Sequence, residues 1–141
     1  MLTQLFTEMA KAAGSTKRVS ELLAEEPEDL ISGEDFDLSG KTLAVKHVDF
    51  AYDSGKAILK DISFEAQSGQ IIAFAGPSGG GKSTIFSLLE RFYEPTSGEI
   101  IFGDTSITDI NLANYRKQIG FVSQDSAIMA GTIRDNLTYG L

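Results

Sequence analysis

The chain has 141 residues, enough for one domain with a real core, and its 42% hydrophobic and 23% charged content is that of a globular protein rather than a disordered one. With no cysteine and a single histidine, His47, it cannot form disulfides, thiolate metal centres, a thiol nucleophile or a histidine-cluster metal site. The net charge of −8 comes from one segment, and the remainder is neutral, so no basic face for nucleic acid is implied.

In residues 2–24 the apolar positions Leu2, Leu5, Phe6 and Met9, then Val19, Leu22 and Leu23, recur at helical spacing, with Gly14 and Ser15 expected to interrupt or bend the helix. Two readings fit this pattern: an amphipathic helix packed on its own domain, or the trailing end of a helix from a larger part. No apolar run approaches the ~18 residues of a membrane span, and the opening MLTQLFTEMAKAAGSTKR lacks the basic start and apolar middle of a secretory signal. The chain as written is therefore expected to be soluble.

Glu21, Glu25, Glu26, Glu28, Asp29, Glu34, Asp35 and Asp37 fall between Val19 and Gly40 with no Lys or Arg among them. Residues 25–40, broken by Pro27, Gly33 and Gly40, read as a solvated acidic linker. The pattern then changes to period two. Residues 43–52 and 58–65 alternate as half-buried strands should, with turns at 53–56 and 67–70, giving an antiparallel β beginning.

Residues 71–75, Ile-Ile-Ala-Phe-Ala, are continuously apolar and predict a strand buried on both faces of a parallel sheet. A helix is predicted over 82–92, with Ile85, Leu88, Leu89 and Phe92 on one face. A short strand at 99–102, a helix at 112–118, a second apolar strand at 119–122 and a last helix at 132–137 follow. The expected fold class is α/β.

Between the apolar strand and its helix lies AGPSGGGKST, which fits G-x-x-x-x-G-K-[ST] with Gly76, Gly81, Lys82 and Ser83 at the fixed positions. Such a loop turns its backbone N–H groups inward to cradle phosphate oxygens, and side chains at Gly79, Gly80 and Gly81 would block that approach or forbid the angles. The helix beginning at Lys82 aims its unpaired N–H groups and positive dipole end at the same anion. Lys82 supplies a mobile cation for the β- and γ-phosphates, and the Ser83 hydroxyl is placed to ligate Mg²⁺. Ser78 and Thr84 complete the loop. The motif predicts nucleoside triphosphate binding and leaves the reaction open.

IIAFAGPSGGGKSTIFSLLERFYEPTSGEIIFGD, followed by YRKQIGFVSQDSAIMAGTIRDNLTYG, resembles the N-terminal half of an ABC transporter nucleotide-binding domain, and more narrowly that of bacterial multidrug exporters with membrane and ATPase domains on one polypeptide. The resemblance runs from about Leu43 to Leu141. It implies a P-loop NTPase core of ABC type with an N-terminal antiparallel β subdomain, incomplete at the C-terminus. Residues 1–24 would be the helix from the end of the membrane domain, 25–40 the linker and 41–141 the nucleotide-binding part. It implies ATP and Mg²⁺ as cofactors, with Tyr52 stacking on adenine and Gln124 contacting Mg²⁺ and the region of the attacking water. It also implies a second nucleotide-binding domain and a transmembrane domain as partners, at the cytoplasmic face of the cell membrane.

The sequence departs from the family in three elements. It holds no LSGGQ-type signature, no Asp-Glu dipeptide after an apolar run, and no later switch histidine, since His47 lies on an early strand. Little hydrolysis is therefore expected from the 141 residues alone. Two other functions stay open at this point. A stand-alone P-loop kinase or GTPase would need a lid or an Asn-Lys-x-Asp reader, and neither is recognisable. A non-catalytic module using nucleotide as a switch needs neither.

Overall fold

A computed structural model describes residues 1–139 and separates them into two units, the first covering 1–30 and the second beginning at Ile31. The first unit is dominated by one helix, α1 (Leu2–Ala24), none of whose residues is buried. It runs unbroken through Gly14 and Ser15, contrary to the expected interruption. The Ser15 and Thr16 hydroxyls turn back onto the carbonyls of Lys11 and Ala12, at 2.8 and 3.0 Å, so they bond within the helix instead of ending it. A single internal glycine costs about 1 kcal/mol, too little to break 23 residues. Leu2, Leu5, Phe6 and Met9, with Val19, Leu22 and Leu23, are all exposed, so within its own unit and among the described residues the helix's apolar stripe is not buried.

The second unit is built on a four-stranded antiparallel sheet of order β2-β1-β3-β4, formed by β1 (Leu43–Ala51), β2 (Ala57–Ala66), β3 (Ser97–Phe102) and β4 (Thr105–Ser106). The alternating segments thus pair with one another as expected. β1 does not alternate strictly, however. A bulge carries His47 into the left-handed region at φ 48° and Asp61 of β2 into the same region at φ 47°. The extra residue keeps Val45, Val48 and Phe50 together on the buried face although 45 and 48 are three apart.

That face is covered by α2 (Lys82–Leu89), a 3-10 turn (Ile107–Asp109) and α3 (Leu112–Lys117). Val45, Val48, Phe50, Leu59, Leu88, Ile100, Ile107, Ile110 and Tyr115 form the core. A short α4 (Ile133–Leu137) carries a full capping box, Thr132 bonding the Asp135 amide and Asp135 bonding back.

Two expected strands do not form. Residues 71–75 and 119–122 have no ladder partner among the described residues, and Ile71, Phe121 and Val122 lie 97%, 58% and 91% exposed. Nor is 25–40 wholly a solvated linker, because from Ile31 onward it is bonded along α3.

Candidate functional site

The loop between residue 75 and α2 takes the backbone shape its glycines predict. Gly79 and Gly81 lie at φ 79° and 86°, a region L side chains avoid. At Gly81 a Cβ would also stand 2.8 Å from the Leu59 side chain, so this position packs against β2 as well as turning the chain. The amide of Gly80 donates to the carbonyl of Pro77 at 3.1 Å, closing the turn. Gly81 caps α2 with no side chain, which leaves the opening N–H groups of the helix facing the loop.

Lys82 folds back over this loop. Its Nζ donates to the carbonyls of Gly76 and Pro77, at 2.6 and 2.8 Å. The cation is therefore anchored above the turn within reach of anything the loop binds.

A cleft of about 400 Å³ opens here, lined by Tyr52, Ile58, Ser78, Gly79, Gly81, Lys82, Ser83, Thr84 and Gln124. Residues 72 positions apart in sequence, from Tyr52 to Gln124, thus meet around one helix N-terminus. Gly76 and Gly80 are not part of the lining and act through the loop's own hydrogen bonds. The Tyr52 hydroxyl lies 3.3 Å from Thr84 Oγ1, which ties the end of the first hairpin strand to the P-loop helix.

Tyr52 is held by neighbours that sequence reasoning missed. Phe50 meets it edge-on at 4.9 Å between centroids, and Tyr93 does the same at 5.2 Å. Tyr93 follows α2 in an ordinary aromatic stretch, and nothing in its spacing announces a contact with a strand 41 residues earlier. Ile58 was likewise read only as a strand residue.

At the far end of α2 the helix closes with its amides folded back, Arg91 N onto the Leu88 carbonyl and Phe92 N onto that of Ser87, at 3.1 and 3.0 Å. Arg91 takes the left-handed position usually given to glycine, at φ 60°. The buried Tyr115 hydroxyl donates to the Leu89 carbonyl, and burial pushes this phenol's pKa up, so it remains a donor.

The profile of the ABC transporter family matches residues 59–139, more than half the chain and all of the loop and helix just described. The chain belongs to the ABC transporter family.

Among its relatives, a multidrug resistance ABC transporter ATP-binding and permease protein of Lactococcus lactis subsp. lactis (strain IL1403) is 71% identical over 96% of this chain. The mitochondrial ATP-dependent permease MDL1 of Saccharomyces cerevisiae is 39% identical over 98%. The solved structure of a bacterial Atm1-family ABC exporter with ATP bound superposes on 99% of the chain with a TM-score of 0.76 and 34% identity. The chain spans only 23% and 20% of the two relatives' lengths, and 27% of the exporter's. Family membership carries ATP as the nucleotide and a nucleotide-binding domain of ABC type as the fold, and it does not favour the stand-alone kinase, GTPase or switch-module readings. Among the described residues no helix is long and apolar enough to cross a membrane.

Proposed function

We propose that this chain is the ATP-binding portion of an ABC exporter of the multidrug class, working at the cytoplasmic face of a membrane. In the intact assembly its partners are a transmembrane domain and a second, identical nucleotide-binding domain. The observation that carries this reading is the cleft that gathers Tyr52, the glycine loop, Lys82, Ser83 and Gln124 around the start of α2.

The residues fit their ligand. A volume of about 400 Å³ is in the range of small-ligand sites, and one aromatic wall faces a loop of backbone donors and an ammonium group. Tyr52 offers its face to the adenine, while Gly79, Gly81 and the first amides of α2 receive the phosphates. Lys82 is the mobile charge, because its two carbonyl contacts can be exchanged for phosphate oxygens without moving the backbone. Ser83 and Gln124 contribute a hydroxyl and an amide oxygen, hard donors suited to Mg²⁺, which when bound neutralises phosphate charge. Gln124, which lines the cleft, would also orient a water toward the terminal phosphate.

The chain thus holds residues that would position the nucleotide, whereas the family's Asp-Glu pair, which helps hold Mg²⁺ and polarises the water, and its signature that clamps the phosphate are not in the sequence. We therefore expect weak Mg-ATP binding with negligible turnover by the 141 residues alone, and robust turnover independent of protein concentration would overturn this. Titration calorimetry with Mg-ATP checks it. Lys82→Ala is expected to weaken binding at least about tenfold, the scale of a lost charge-assisted contact. Tyr52→Ala should weaken it by a smaller factor, and Tyr52→Phe should keep the stack. Unchanged affinity in Lys82→Ala would sink the reading.

A further inference from the structure

The segment read from sequence as a solvated linker is fastened to α3 by a regular set of bonds. The Glu34 amide donates to the Asp109 carbonyl at 3.1 Å, and the Asn111 amide donates to the Glu34 carbonyl at 2.8 Å. Two residues on, the Phe36 amide donates to Asn114 Oδ1 at 3.0 Å. Two further on, the Leu38 amide donates to Gln118 Oε1 at 2.9 Å, while Gln118 Nε2 donates to the Phe36 carbonyl at 2.6 Å. Residues 34, 36 and 38 of an extended strap therefore meet 111, 114 and 118 of a helix. The lengths agree: four extended residues cover about 13 Å and seven helical ones about 10 Å, with side-chain reach closing the difference. Gly33 permits the approach, since at φ 95° a Cβ there would lie 2.6 Å from the Asn111 nitrogen.

Neighbouring residues of α3 grip the end of α2. Tyr115 donates to the Leu89 carbonyl, and Arg116 Nε and Nη2 donate to the carbonyls of Glu90 and Arg91 at 3.0 and 3.2 Å. Arg91 returns a bond from Nη1 to the Ile110 carbonyl at 2.7 Å. These are the carbonyls that a helix end leaves without intrahelical partners. α2 has only eight residues, about 12 Å, and its other end is the phosphate loop.

We propose that Asn111, Asn114 and Gln118, by holding the strap 31–38, act as positioning residues for the nucleotide site, with α3 as the rigid piece between strap and P-loop helix. This rests on the reading of the loop as a triphosphate cradle. Because the strap is the second half of the acidic segment 25–40, a pull on it would reach the end of α2 through these bonds.

The test uses the 141-residue chain with Gly33→Val and, separately, with Asn114→Ala and Gln118→Ala combined. Amide hydrogen exchange is followed at 34–38, at 85–92 and in β1, together with Mg-ATP affinity. Release of the strap is expected to speed exchange at Ile85, Glu90, Arg91 and Phe92 by roughly three- to tenfold, the effect of losing one or two hydrogen bonds, with β1 unchanged and ATP affinity weakened by a similar factor. Faster exchange at 34–38 with 85–92 and ATP affinity both within about twofold of the parent would overturn the proposal. An equal acceleration in β1 would overturn it too, since that marks global loosening. Should the parent itself bind no ATP, the exchange at 85–92 still decides the coupling, and only the reading of the loop fails.

Discussion

The two kinds of apolar segment in the second unit have opposite fates. Residues 43–51 and 57–66 alternate, pair with each other and bury Val45, Val48, Phe50 and Leu59 to 4% exposure or less. Residues 71–75 and 119–122 are at least as apolar, yet they pair with nothing described and leave Ile71 and Val122 nearly bare. Hydrophobicity alone does not make a strand. An alternating segment needs one neighbour and one covered face, and this chain supplies both; a continuously apolar segment needs neighbours and cover on two faces. The proposed nucleotide site lies on the seam between these regions, with Tyr52 contributed by the end of the hairpin and Gln124 by the unpaired side.

The sharpest contrast comes from removing side chains on either side of that seam. Leu88, 2% exposed, packs in the core, and Leu88→Ala is expected to destabilise the chain by about 2–5 kcal/mol through lost burial and the cavity left behind. Val122→Ala trims a smaller aliphatic side chain at a 91% exposed site and should change stability by less than about 0.5 kcal/mol. Urea denaturation of both variants measures the difference. Equal losses would mean that 119–122 is packed in solution, and the comparison would break.

A second effect concerns association. Bare Ile71, Phe121 and Val122 form unpaired apolar backbone of the kind that recruits another chain. The chain is expected to self-associate in sedimentation velocity, and Ile71→Lys with Val122→Lys should weaken that association roughly tenfold, the worth of one buried aliphatic side chain. A sharp, strictly monomeric unfolding transition of the parent at ordinary concentration would contradict this expectation.

What the sequence made legible follows from how local each feature is. The hairpin, the P-loop and its helix are written in nearby residues, because period two, period 3.6 and G-x-x-x-x-G-K-[ST] are all short-range patterns. The meeting of Tyr52 and Gln124 was available only through resemblance to a family, since spacing cannot place two residues 72 positions apart in one cleft. Tyr93 had no such aid and went unseen. The strap was misread for a related reason: its acidic composition is that of a solvated run, and the decisive partners are amides of Asn111, Asn114 and Gln118 about 80 positions away, which satisfy backbone rather than charge. The two missing strands were misread because the apolar pattern reports what a segment could bury and says nothing of whether a partner is present.

The smallest expected effect is a pH dependence that separates the sheet from the periphery. Asp49, towards the end of the inner strand β1, accepts from the Ser97 hydroxyl of β3 and the Asp61 amide of β2, each at 2.7 Å. The Ser97 bond first, and the Asp61 amide second, hold its carboxyl below the usual carboxylate range. The Thr132 amide and hydroxyl do the same for Asp135 at the start of α4, and Ser39 does so for Asp37. A carboxyl with a lowered native pKa binds fewer protons folded than unfolded, so its contribution is present above the unfolded value of about 4 and is lost as pH falls through the native one. The contribution of these three carboxyls should thus be constant above about pH 4 and decline below it. Since Asp49 bridges three strands of the folded core, Asp49→Asn should flatten that acid decline in global unfolding. Asp135→Asn, which touches only its own helical turn, should leave the global curve alone and alter exchange in 133–137. If Asp135→Asn flattened the curve as much as Asp49→Asn, the peripheral segment would be folding as one cooperative unit with the sheet, and the division between the two regions would not hold.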